Sequence, residues 1–214
     1  MSSNGRVEKL NAVFYPQSIA VVGASRRTGT VGNDIFRNLL FSEYTGAVYP
    51  INPKSPSVMG VHVYPTRRAV PGAVDLAVII VPSSAVLDTV DEAIEIGVKG
   101  LVVISAGFKE TGKAGAELEL RLRDKVRKAG VPLIGPNCLG VINTDPKISM
   151  NAAFGRKMPD AGNLAFISQS GALCTSVLDY AEERHMGFSK FISFGNKADV
   201  NEIELLEYLA NDPK

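Results

Sequence analysis

The chain has 214 residues, 45% hydrophobic and 21% charged, with a net charge of +1. This is an ordinary globular composition: no net charge draws nucleic acid, no Lys/Arg run is interleaved with aromatics, and no apolar stretch reaches the roughly 18 residues of a membrane span. MSSNGRVEKLNAVF lacks a signal-peptide core, and Cys138 and Cys174 give no disulfide framework, so a cytoplasmic protein with no nucleic-acid or membrane partner is the simplest expectation.

In chain order, residues 1–17 read as a lead-in with a short helix over VEKLNAVF. The first strand is 18–23, and its helix begins near Thr30 or Val31, with Val31, Ile35 and Leu39 on one face. Strand two is 47–52, and VHVY at 61–64 is a candidate third strand. The run 74–81 is almost wholly apolar, as a strand buried on both faces should be. Helix 84–96 turns Val86, Val90, Ala93 and Ile94 inward. Strand 100–105 leads to a charged helix over 112–129, with Leu118, Leu122 and Val126 at spacing four. VPLI at 131–134 is a short last strand.

Residues 135–163 are rich in turn formers and read as a crossing loop with room for a small hairpin. A second unit follows: strand 163–168, helix 171–185, strand 188–194 and helix 200–212. The expected fold class is therefore α/β: a doubly wound, Rossmann-like domain over 1–145, then part of a second α/β domain over 146–214. Two strands and two helices make a small core, so the chain is expected to be a fragment ending inside its second domain.

Five times an apolar, β-branched run stops at small residues. In an open parallel sheet, ligands sit outside the carboxyl ends of the strands, so these turns predict one long, phosphate-bearing ligand. Gly23, Ala24 and Ser25, continuing to Thr28, Gly29, Val31 and Gly32, form a glycine turn at a helix start, where backbone N–H groups and the helix dipole receive a phosphate. Arg26 and Arg27 add positive charge. The spacing is not G-x-G-x-x-G, so the dinucleotide fingerprint is absent. Strand two ends in Asn52, Pro53 and Lys54, where NAD-binding folds place an acid for the ribose. A lysine there fits coenzyme A, with its 3′-phosphate, or NADP, and disfavours NAD. Glu43 has the right count from Gly23 but falls before strand two.

Val81, Pro82 and Ser83 end a buried strand, with Ser83 or Ser84 available to cap the next helix. Ser105, Ala106, Gly107 and Phe108 form a turn whose small residues admit a ligand close to backbone, and Glu110 reads as an ordinary first-turn acid. Asn137 and Cys138 lie in a compact Gly-Pro-Asn-Cys-Leu-Gly turn; without a neighbouring histidine, Cys138 reads as pocket-lining rather than nucleophilic. Ser168, Gln169, Ser170 and Gly171 open a helix and suit either an anion or plain capping. His62 and His185 read as structural or exposed, and no metal-ligand cluster is visible.

In this order VVGAS, INPK, VPSS, ISAGF, GPNCLG and SQSGAL resemble the CoA-binding α part of the NDP-forming acyl-CoA synthetases, from about Leu10 onward. ISFGNKADVNEIELLEYLANDP resembles that family too. The resemblance implies a CoA-binding domain followed by a flavodoxin-like one. It implies that Gly23 to Gly32 hold the nucleotide phosphates, with Lys54 at the adenosine end. Val81 to Ser83 and Ser105 to Phe108 would line the coenzyme's path, Asn137 and Cys138 would lie near the thioester, and Ser168 to Gly171 would receive phosphate and a phosphorylated histidine. The family reaction joins an acid to CoA through acyl phosphate and phosphohistidine. Neither His62 nor His185 matches that histidine, so the expected partners are an ATP-grasp β part or subunit and a continuation beyond Lys214. The acyl substrate, and ADP against GDP, stay open, as does self-association. Two alternatives remain: an NADP-linked oxidoreductase, and a CoA-sensing domain of an acyltransferase-like protein without catalysis.

Overall fold

The computed structural model describes residues 3–155 and 158–212. Two short helices, α1 (Ser3–Glu8) and α2 (Asn11–Phe14), precede β1 (Ser18–Val22). α3 (Val31–Phe41) leads to β2 (Ala47–Ile51). The predicted third strand belongs elsewhere: β3 (Ser57–Val58) and β4 (Val61–His62) form their own antiparallel hairpin, and only a bridge from Tyr64 to Ile51 reaches the main sheet. Met59 and Gly60 between them both have positive φ, so the chain reverses before it can extend.

β5 (Leu76–Ile79), α4 (Ser83–Glu95), β6 (Gly100–Val103), α5 (Lys113–Ala129) and β7 (Leu133–Ile134) complete the first unit. The five strands are parallel, in the order β2-β1-β5-β6-β7. β1, β5 and β6 are buried along their whole length, as the unbroken apolar runs require. On α4, Val86, Val90 and Ala93 are fully buried, and on α5 Leu122 and Val126 are. Each such side chain larger than alanine contributes about 1.5–3 kcal/mol. α5 ends on Gly130 in the left-handed conformation, a C-cap position that favours glycine.

The order reverses between β1 and β5, because the chain runs outward to β2 on one side and to β6 and β7 on the other. The crevice at the carboxyl ends of β1 and β5 is therefore the switch point where ligands bind in doubly wound sheets.

The stretch 135–163 is more ordered than its composition implies. β8 (Gly140–Asn143) and β9 (Met150–Ala153) form an antiparallel hairpin that joins β10 (Ala161–Ser168) and β11 (Phe188–Ser193) in a second sheet, β10-β11-β8-β9. β10 and β11 are parallel, and α6 (Gly171–Arg184) and α7 (Glu202–Ala210) complete the second unit. The small two-strand core expected from sequence thus becomes a four-strand sheet.

The lead-in joins the two units. Phe14 stacks on Tyr208 at 4.9 Å, and Tyr208 Oη donates to Asn11 Oδ1 at 2.9 Å. Arg6 pairs with Asp199 at 2.5 Å and also with Glu204, while Arg127 Nε reaches Asp199 at 3.1 Å.

Candidate functional site

Gly23 begins the first turn at φ 98°. A Cβ there would lie 2.1 Å from the Ile80 carbonyl oxygen, and one on Gly32 would lie 2.1 Å from the Gly23 carbonyl oxygen. Both glycines are needed because strand, turn and helix backbones touch. Arg26, Arg27, Thr28 and Gly29 are exposed. Inside the turn, Ser25 Oγ accepts from Arg27 N at 3.1 Å, and Asn33 Nδ2 donates to Ser25 O at 2.8 Å. Asn52 straps β2 to this turn, donating to Ala24 O at 2.7 Å and accepting from Lys54 N at 2.8 Å. Pro53 and Lys54 are exposed beside it.

The capping expectation for α4 is not met. Ser83 is the first helical residue and Pro82 occupies the cap position without a side-chain cap bond; its fixed φ suits the helix entrance. Ser83 instead faces the next turn, where a Cβ on Gly107 would lie 2.6 Å from Ser83 Oγ. The Ser105 hydroxyl ties neighbouring strand ends, donating to Val81 O at 2.6 Å and accepting from Val81 N at 3.2 Å. The Phe108 side chain is fully buried in the core cluster that holds Leu122 and Val126. The sequence reading of Phe108 as a lining residue therefore holds at most for its main chain.

Glu110 does more than a first-turn acid. Its Oε1 accepts from Gly107 N at 2.6 Å and Phe108 N at 3.0 Å, so those amides are already engaged. Burial pushes its carboxyl up, but hydrogen bonds from Asn196, Phe108 and Gly107 outweigh that and hold it below the ordinary range.

Asn137 has φ 57°, and its N–H donates to Ser105 O at 3.0 Å. Cys138 is 5% exposed and its Sγ donates to Val103 O at 3.3 Å. Burial pushes its thiol up to about 12, so it stays protonated and un-nucleophilic at neutral pH.

The Ser168–Gly171 segment caps α6. Ser170 Oγ accepts from Leu173 N at 3.2 Å, and Ser168 Oγ accepts from Ser170 N at 3.1 Å. The capping function read from sequence is present, and it aims the positive end of a 14-residue helix outward beside Gln169.

These segments meet. An open cavity of about 690 Å³ is lined by Val31, Val81, Ser105, Ala106, Asn137, Cys138, Gln169, Ser170 and Gly171. Five stretches singled out in the sequence, drawn from both units, thus share one cavity, with the first residue of α3 and the N-terminus of α6 on its wall. Ile80, Ile104, Leu139 and Phe154 complete it. The first two lie within the predicted strands 74–81 and 100–105, one residue past the ends of β5 and β6, but Phe154 lies in the stretch read as irregular. Lys54 and the exposed Arg26–Gly29 segment lie outside this lining. His62 is exposed in the hairpin and the His185 side chain is 89% exposed; neither borders the cavity. Among the described residues no His/Cys/Asp/Glu group is arranged to hold a metal, and no helix is long and apolar enough to cross a membrane.

Comparison with known proteins identifies two family domains along the chain. The CoA binding domain family model matches residues 17–144, and the succinyl-CoA ligase like flavodoxin domain model matches residues 161–214. The chain is 48% identical over 203 residues to an ADP-forming acetate–CoA ligase of Archaeoglobus fulgidus, covering 95% of this chain and 29% of that protein. It is 45% identical over 203 residues to the alpha subunit of ADP-forming acetate–CoA ligase II of Pyrococcus furiosus, covering 94% of this chain and 43% of that subunit. Among solved structures, acetyl-coenzyme A synthetase 1 of Candidatus Korarchaeum cryptofilum, in complex with phosphate and ADP, matches with a TM-score of 0.90 and 44% identity over 95% of this chain and 43% of that one. The chain therefore spans less than half the length of these relatives.

Proposed function

The chain belongs to the CoA binding domain family over residues 17–144 and joins that domain to a succinyl-CoA ligase like flavodoxin domain, and from this premise we propose that it is the CoA-binding portion of an ADP-forming acyl-CoA synthetase. The observation that supports this best is the shared cavity, where the turns of the first unit face the capped N-terminus of α6 in the second. The similarity to ADP-forming acetate–CoA ligases favours this reading over an NADP-linked oxidoreductase or a CoA sensor.

In this reading CoA lies across the carboxyl edge of the parallel sheet. Its adenosine phosphates sit at the Gly23–Gly32 turn, helped by Arg26, with the 3′-phosphate near Lys54. Val81, Pro82, Ser83 and the Ser105–Phe108 backbone flank the pantetheine arm. Asn137 and Cys138 meet the thioester end, with Cys138 as a neutral wall. The N-terminus of α6 offers a positive field where a transferred phosphoryl group would arrive. An acyl phosphate exchanges its phosphate for the CoA thiol at that end. The acyl C–O bond and the thiol S–H bond break, the thioester C–S bond forms, and the phosphate leaves toward Ser168–Gly171 as hydrogen phosphate carrying the thiol proton. The division into residues 1–145 and 146–214 is part of the proposal, supported by the two sheets, with β8 reaching across to the second.

No histidine of this chain borders the cavity, so the phosphohistidine and the ATP-grasp part are assigned to other portions of the enzyme. The test is an assay with acetate, ATP and CoA. The isolated chain is expected to form no acyl-CoA above background; turnover by the chain alone would contradict the assignment.

A further inference from the structure

Resting on the CoA reading, we propose that Asn196 is a positioning residue that fixes the thioester end of the cavity. Asn196 lies after β11, remote in sequence from every motif of the first unit, yet it is 7% exposed. Its Nδ2 donates to two carboxylates, Glu110 Oε2 at 2.7 Å and Glu119 Oε2 at 2.8 Å. Its Oδ1 accepts from Asn137 Nδ2 at 3.3 Å. Its N–H donates to Pro136 O at 2.9 Å, and its carbonyl accepts from Lys109 Nζ.

Every polar group of this residue is thus used, and each bond ends on the turn 105–110, on α5 or on the Gly135–Cys138 turn. Glu110 passes the constraint on, because its other oxygen holds the Gly107 and Phe108 amides. Asn137 passes it to the cavity wall directly. The approach is close: a Cβ on Gly195 would lie 2.4 Å from both the Asn137 and Pro136 carbonyl oxygens. The Asn196 amide supplies one N–H to each of two carboxylates, and Lys109, which pairs with Glu119 at 3.4 Å, offsets their negative charge. An aspartate at 196 would remove both donors and add a third negative charge.

The experiment is calorimetric titration of the wild-type chain, N196S, N196D and N196D/E110Q with two probes. CoA spans the whole site; adenosine 3′,5′-bisphosphate carries its adenosine end without the pantetheine arm. N196S and N196D are expected to bind CoA about tenfold more weakly, a loss of about 1.4 kcal/mol, with bisphosphate affinity unchanged. E110Q restores a donor opposite the new carboxylate and is expected to recover part of the CoA affinity lost in N196D. Thermal melting checks that each variant is folded; if N196D is not, N196S carries the test. Unchanged CoA affinity in folded N196S, or equal weakening of both probes, overturns the positioning role. Failure of the wild-type chain to bind either probe overturns the CoA reading itself.

Discussion

Gly23 and Ile80 meet backbone to backbone at the point where the strand order reverses: a Cβ on Gly23 would stand 2.1 Å from the Ile80 carbonyl oxygen. The first turn is therefore pressed against the end of β5, and its position fixes one wall of the cavity. G23A is expected to destabilise the chain by about 1–3 kcal/mol, from the strain of φ 98° and the forced separation of the two strand ends. CoA affinity should fall further than stability alone explains. Denaturant melts and titration of the folded fraction check this; a variant with wild-type stability and affinity would contradict the contact.

Lys54 is exposed beside the strap that Asn52 throws to Ala24. A solvent-exposed charge contact is worth up to ~1 kcal/mol. K54A is expected to weaken CoA by about 2–5-fold and to leave dephospho-CoA unaffected. Equal loss for both ligands would move Lys54 away from the 3′-phosphate.

Cys138 is a wall, not a nucleophile. With its thiol pushed up to about 12 by burial, Cys138 is held protonated around neutral pH. Burial raises the Cys174 thiol as well. Both thiols should resist a disulfide reagent in the native protein and react together on unfolding, and C138A should retain CoA binding. Rapid native labelling of Cys138 would contradict the burial argument.

Acid is expected to loosen the molecule at two places. Burial raises the Asp75 carboxyl, but the bonds from Lys99, at 2.8 Å, and Gln17 N, at 2.9 Å, outweigh it and hold it low. Glu110 is held low in the same way by Asn196 and two amides. A carboxyl whose folded pKa is depressed contributes stability that is full above its unfolded value and is lost as pH falls through the folded one. The ordinary values are 3.8 for Asp75 and 4.5 for Glu110, so the melting temperature should be flat above about pH 5.5 and fall from about pH 5 downward. D75N should make that fall shallower; an unchanged acid slope would remove Asp75 from the account.

The sheet-forming runs and their turns were legible because both carry local signals, β-branched apolar residues and then small ones. Val86, Val90 and Ala93 face inward as their spacing requires. The turn motif at 105–108 does not say whether Phe108 offers its side chain or its backbone, and only the structure shows the side chain buried in the core. The β8–β9 hairpin was only allowed for in sequence, since its partner β11 lies about fifty residues along and pairing at that distance leaves little local trace. Asn196 was invisible for the same reason: its partners Asn137 and Glu110 are 59 and 86 positions away.

The central claim is that this cavity and its turns receive CoA. Its most direct test is calorimetric titration of the purified chain with CoA, NADPH and NADH at matched salt. The account predicts saturable binding of CoA and none of either nicotinamide cofactor. Preferential binding of NADPH would contradict it, and would mean that Lys54 and the Gly23 turn serve a different ligand.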